Sequence, residues 1–123
     1  MWALPPGPEK TAQSYALIAS VEASQAMYHT LGKDFVHLNF AGRVFMIFTC
    51  IYFLVDLGTN VADGVILSKT FRLLDKQMQL CGEMLQNQDI SYEGRAQDDA
   101  SFRRMVGIVK RMKEHARTTG GRS

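Results

Sequence analysis

Two cysteines, three prolines and one tryptophan among 123 residues leave few fixed points from which to read a small domain. Cys50 and Cys81 stand alone in apolar surroundings, with no CxxC and no paired spacing. That excludes a zinc ribbon, an iron–sulfur cluster and a twin-cysteine oxidative fold. Both thiols are expected to be buried and unpaired, since free cysteine packs as a small hydrophobe. Catalytic signatures are missing too. His29, His37 and His115 fall on separate segments without an HExxH; no serine sits in a GxSxG elbow, and there is no GxGxxG or Walker A loop. Cys50 lies in too oily a sequence to favour a thiolate. An enzyme, a metal site, a bound cofactor and a small-molecule substrate are therefore not expected.

The first arginine is Arg43, and "MWALPPGPEK" shows no basic region leading into an apolar one. A cleavable secretory or Arg-rich mitochondrial leader is not expected, and targeting would be internal or already removed. The length fits one domain with a modest core. A hydrophobic fraction of 46% and a net charge of +2 look ordinary, but both averages hide segregation. Oil concentrates between Phe35 and Leu67, acids between Glu83 and Asp99, and bases between Arg103 and Arg122. Each block is expected to meet a different environment.

The pattern predicts an all-α unit of three or four helices. Pro5, Pro6 and Pro8 make residues 1–8 a Pro-rich lead, and no breaker then interrupts the chain until Gly32, which stands where a helix C-cap belongs. A helix over 9–31 follows. Along it Ala12, Ala16, Ala19, Ala23 and Ala26 recur at spacings of four, three, four and three, a smooth seam on which a partner backbone could approach closely. The same alanines could equally serve as strong helix formers. Asp34 can cap a second helical stretch over 34–88. Its uncharged part, Val44 to Val55, spans roughly 18 Å at the helical rise, against about 30 Å of bilayer hydrocarbon. Extension to Leu67 takes in Asp56, Asn60 and Asp63; extension back to Phe35 takes in Arg43 and His37. Arg43 and Lys69 flank the oily run as snorkelling cations would.

Asp56, Asn60, Asp63 and Leu67 are separated by four, three and four residues, and the rhythm continues through Phe71, Leu74, Met78, Cys81 and Leu85. A polar stripe thus leads into a coiled-coil-like seam. The leading expectation is a stripe facing another subunit, with Asp56, Asn60, Asp63, Leu67, Phe71, Leu74, Met78 and Leu85 as partner contacts. A soluble core helix and a proton relay through Asp56 are the other readings. Gly58 and Gly64 leave both one long helix and a kinked pair open.

Residues 89–97 are polar and aperiodic and read as a connector. The stretch 98–118 then forms an amphipathic helix with acids at its start and bases at its end, as the backbone dipole favours. Phe102, Met105, Val106, Val109, Met112 and Ala116 make its apolar face, and Arg103, Arg104, Lys110, Arg111, Lys113 and Arg117 crowd the rest. Those cations are expected to meet anionic lipid or an acidic partner, with a merely solvated face as the alternative. Nucleic acid is not expected, because no aromatic platform interleaves with the charges.

A short oily helix, an Ala-rich helix, a coiled-coil-like extension and a basic C-terminal helix together resemble small accessory subunits of mitochondrial inner-membrane complexes. More narrowly, "MWALPPGPEK" joined to "GRVFMIFTCIYFLVD" in 13.8 kDa is similar to the small ATP synthase-associated proteins of chlorophycean algae. The resemblance covers the layout and transfers no functional residue. It implies a structural role in a peripheral stalk or dimer contact at the mitochondrial inner membrane, among other subunits and lipid, with no nucleotide site. A shorter resemblance, "IYFLVD" followed by "ILSK", is similar to a patch of peroxisomal membrane-elongation proteins and implies bilayer remodelling instead.

Overall fold

A computed structural model describes residues 8–37, 40–61, 63–86 and 92–120. They form α1 (Pro8–His37), α2 (Phe40–Asn60), α3 (Gly64–Leu85) and α4 (Arg95–Gly120), with no strand among the described residues. The chain is all-α with four helices, one of them strongly apolar. Residues 1–7 of the Pro-rich lead and residues 89–91 of the connector lie outside the described residues.

Three boundaries differ from those the residue pattern suggests. α1 continues through Gly32 and Asp34 to His37, so Gly32 does not cap it and Asp34 lies inside a helix. A lone glycine costs a helix only about 1 kcal/mol relative to alanine, and no proline follows to block the backbone. α4 begins at Arg95, ahead of residue 98. The largest difference is that 34–88 is not one apolar helix continuing into a coiled-coil-like rod. α2 ends at Asn60, and Asp63 caps a new helix: its carboxylate accepts from the backbone N–H of Val65 at 2.9 Å and of Ile66 at 3.1 Å. Such a cap stabilises a helix start by about 1 kcal/mol.

The break folds α3 back along α2. Gln77 Nε2 donates to the Ile47 carbonyl at 3.5 Å; Ile47 lies thirteen residues before the end of α2, and Gln77 thirteen after the start of α3. Equal offsets about the turn mark an antiparallel hairpin. Val44, Ile47, Ile51, Leu54 and Leu57 of α2 and Ile66, Leu73, Leu74 and Cys81 of α3 are buried in the core. α1 adds Ile18, Val21 and Tyr28, and α4 adds Met105 and Val109.

Polar pins set how the outer helices lie. Gln25 of α1 donates from Nε2 to the Leu73 carbonyl and to Gln77 Oε1, both at 2.9 Å. α4 runs antiparallel to α3 and in the same direction as α2. Phe102 packs where Gly82 has no side chain, Met112 where Gly58 has none, and Lys113 bonds Asp75. The start of α4 is clasped by Tyr92, whose phenol donates to Asp98 Oδ2 at 2.6 Å and whose ring meets Phe40 at 5.4 Å. Arg95 donates to the Leu85 carbonyl. Gly94 turns the chain into α4 with φ of 94°, a region that glycine enters without penalty. α1 and α4 each pack on both hairpin helices and, among the described residues, do not meet one another.

Leu74 has no exposed surface, so Leu74→Ala is expected to lower the unfolding free energy by about 2–5 kcal/mol in urea titration. A change below about 0.5 kcal/mol, the range of surface substitutions, would be incompatible with this packing.

Candidate functional site

The coiled-coil-like seam finds its partners inside the chain. Leu74, Cys81 and Leu85 are buried, while Leu67, Phe71 and Met78 are half-buried, with Phe71 close to Gly58 of α2. Leu74 and Leu85 therefore do not serve as contacts with another subunit, a correction that follows from the hairpin: α2 folds onto the seam and covers it. Asp63 also leaves the polar stripe, because its carboxylate is committed to capping α3. Asp56 and Asn60 remain together on α2, where Asn60 Nδ2 donates to the Asp56 carbonyl at 2.8 Å and to Asp56 Oδ1 at 3.2 Å. The alanines point outward. Ala12, Ala16, Ala19 and Ala23 are all exposed, on the side of α1 opposite Ile18 and Val21.

A larger outward surface lies on α2 itself. Its core face is made by residues 40, 44, 47, 48, 51, 54 and 57. The opposite face carries Phe45, Met46, Thr49, Tyr52, Phe53 and Asp56, whose spacing places them on one side of the helix. Phe45 is 69% exposed, Met46 54%, Tyr52 52% and Phe53 53%. Such a concentration of large exposed apolar side chains on one helix face marks an interaction surface. On one edge of this face the Arg43 guanidinium hydrogen-bonds the Tyr28 phenol of α1, so Arg43 works inside the fold rather than snorkelling. On the other edge Met112 of α4 reaches Gly58 and Thr59.

The basic side chains of α4 divide into two flanks. Phe102 and Lys113 contact α3, the latter through an exposed ion pair with Asp75, which contributes little to stability. Arg103, Lys110 and Arg117 continue from that flank round the back of the helix. Arg104, Arg111 and His115, separated by seven and four residues, lie on the flank toward α2. All of these except half-buried Lys113 are exposed.

α2 is long and apolar enough to cross a membrane: its 21 residues amount to about 31 Å at the helical rise, matching about 30 Å of hydrocarbon. The antiparallel α3 beside it has exposed Arg72, Asp75, Lys76 and Glu83. Immersing the hairpin would carry those charges into lipid, at a cost of several kcal/mol for charges left at the bilayer centre.

Among the described residues no group of three or more His, Cys, Asp or Glu side chains could hold a metal ion. His29 and His115 stand on helices that do not meet, and the side chain of His37 lies outside the described residues. Both cysteines are free thiols. No family model, curated protein or solved structure matches the chain.

Burial pushes the Cys81 thiol up to about 12, helped by the charges of Asp98 and Asp99. Burial also raises the Tyr28 and Tyr92 phenols; the bond from Tyr92 to Asp98 adds to its shift, while Arg43 partly offsets that of Tyr28. All three groups hold their protons more tightly in the fold than in the unfolded chain. The contribution of Cys81 is full at neutral pH and is lost as pH rises from the ordinary thiol value of 9.0 through about 12, and those of the phenols are lost from 10.0 upward. Urea midpoints are therefore expected to fall across this window. Native protein should leave Cys81 unmodified by iodoacetamide at pH 8, with full modification only in denaturant. Rapid native labelling of Cys81 would contradict its burial.

Proposed function

We propose that the chain is a non-catalytic structural subunit of a membrane-associated assembly, held in place through the outward face of α2. The observation that carries this reading is the exposure of Phe45, Met46, Tyr52 and Phe53 on a helix whose other side is already packed in a completed core. Full burial of such a side chain is favourable by about 1.5–3 kcal/mol, and roughly half of that is still unrealised at these positions. A partner covering the face gains it without unfolding anything.

The four-helix unit gives this face a rigid support. Gln25, Gln77 and Ile47 tie three helices together behind it, and Met112 ties the fourth to its edge. Membership of a mitochondrial inner-membrane complex, and of an ATP synthase peripheral stalk in particular, is supported by the resemblance in layout. The exposed alanine seam of α1 offers a second, flatter contact for a neighbouring helix. Asp56 has a positional role on this reading, bonded to Asn60 at the end of the apolar face.

Native purification in mild detergent followed by mass spectrometry tests the reading. Wild-type chain is expected to migrate with a large membrane assembly, and Phe45→Ser/Phe53→Ser to migrate alone while keeping its helical circular dichroism. Asp56→Asn should retain both assembly and turnover of the parent complex. A wild-type chain that migrates alone would refute membership, and loss of proton-coupled activity in a fully assembled Asp56→Asn complex would make Asp56 a relay.

A further inference from the structure

The uncovered face of α2 and one flank of α4 point the same way, and together they define a surface with its own chemistry. α4 runs in the direction of α2, as the contacts of Phe40 with Tyr92 and of Gly58 with Met112 require. Arg104 and Arg111 therefore stand beside the second half of the apolar face, on the flank of α4 turned toward it. The flank of α1 on the other side offers Gln13, Ser20 and Ser24, and between Gln13 and Ser24 no acid falls on it. Glu22 is on the far flank of α1, toward α3, and Glu114 is on the back of α4.

We infer that this surface binds an anionic lipid bilayer side-on, with the aromatics of α2 in the interfacial zone and Arg104 and Arg111 on headgroup phosphates. The inference rests on the membrane contact proposed above and specifies what covers the face. Three observations favour lipid over a second protein surface. Phe45, Met46, Tyr52 and Phe53 form one convex strip, with Tyr52 combining an apolar ring and a polar tip as interfacial residues do. The cations stand at the edge of the strip rather than within it, where long side chains reach phosphate while their stems cover apolar surface. The polar face of α3, with Arg72, Asp75, Lys76 and Glu83 exposed, bars deep immersion and fixes the depth at about one helix face.

Asp56 also sets an orientation. It lies at the C-terminal end of the strip, with Asn60 bonded to it, whereas Phe45 and Met46 lie toward the N-terminal end with no charged neighbour on the strip. The N-terminal half of α2 thus enters more deeply, and the Asp56 end stays at the level of the headgroups, near Arg111.

Flotation of the purified full chain with vesicles tests this. Vesicles of phosphatidylcholine mixed equally with phosphatidylglycerol should bind it, and phosphatidylcholine alone should bind it weakly. Arg104→Gln/Arg111→Gln is expected to weaken anionic binding roughly 30-fold, the loss for two basic side chains near a charged surface. Arg103→Gln/Lys110→Gln, away from the strip, should weaken it far less, and Phe45→Ser/Phe53→Ser should abolish it. All these positions are exposed, so circular dichroism should match wild type for every variant. Equal losses from the two basic pairs, or wild-type binding by the aromatic variant, would overturn the side-on arrangement. A chain that ignores anionic vesicles yet migrates in the native assembly would mean that protein covers the face; membership would stand and the lipid inference would fall. Self-association in sedimentation, lost in Phe45→Ser/Phe53→Ser and with no vesicle binding, would assign the face to a second copy.

Discussion

Gln77 carries the constraint around which the fold is arranged. It is almost wholly buried in a core whose other described members are apolar except for Ser14 and Thr70, and a buried amide without partners costs about 1–3 kcal/mol. Its Oε1 accepts from Gln25 of α1 and its Nε2 faces the Ile47 carbonyl of α2. Both contacts hold only when three helices share one register. A slide of α1 or α2 by a helical turn would keep many apolar contacts but strand the amide. The hydrophobic residues supply most of the cohesion, and the glutamine pair distinguishes this packing from its near neighbours.

That register also explains why α2 ends up two-faced. The hairpin can cover only the side of α2 that meets α3, and α1 and α4 close over the margins. The side left over is nearly as oily as the side enclosed, since Phe45, Met46 and Phe53 would suit a core as well as Val44, Ile47 and Leu54 do. In a soluble single-domain protein that leftover face would favour aggregation. Here the oily strip is bounded by polar surface, with exposed Arg104 and Arg111 on α4 and exposed Arg72, Asp75, Lys76 and Glu83 on α3.

The helical class, a count of three or four and the amphipathic α4 were legible in the residues, because period and charge placement carry them directly. The hairpin was not. Asp63 happens to fall in phase with Asp56, Asn60 and Leu67, so a capping residue looked like one more member of a continuous stripe. Distinguishing the two needs the local competition between a carboxylate binding its own backbone and a helix continuing through Gly64, and spacing is silent on that. The outward face of α2 was hidden for a different reason: a helix apolar on every side has no phase from which to tell core from surface. The alanines had a clear phase, and Ala12, Ala16, Ala19 and Ala23 do share one exposed side of α1. It faces away from the core because Ile18, Val21 and Tyr28 occupy the other side.

The lack of contact between α1 and α4 shapes how the molecule comes apart. In a closed bundle every helix is held by two neighbours that are also held by each other, so removal of one loosens all. Here each outer helix is attached to the hairpin alone. Fluctuations of the two are nearly independent, and amide hydrogen exchange should sort the chain into a slow hairpin and two faster outer units. Loss of α1 exposes the glutamines, whereas loss of α4 leaves them paired and uncovers the core contacts of Met105 and Val109 and the side chains around Gly58 and Gly82. The helix that bears the cations can thus part from the hairpin without disturbing the glutamine register, at the cost of baring Met105 and Val109.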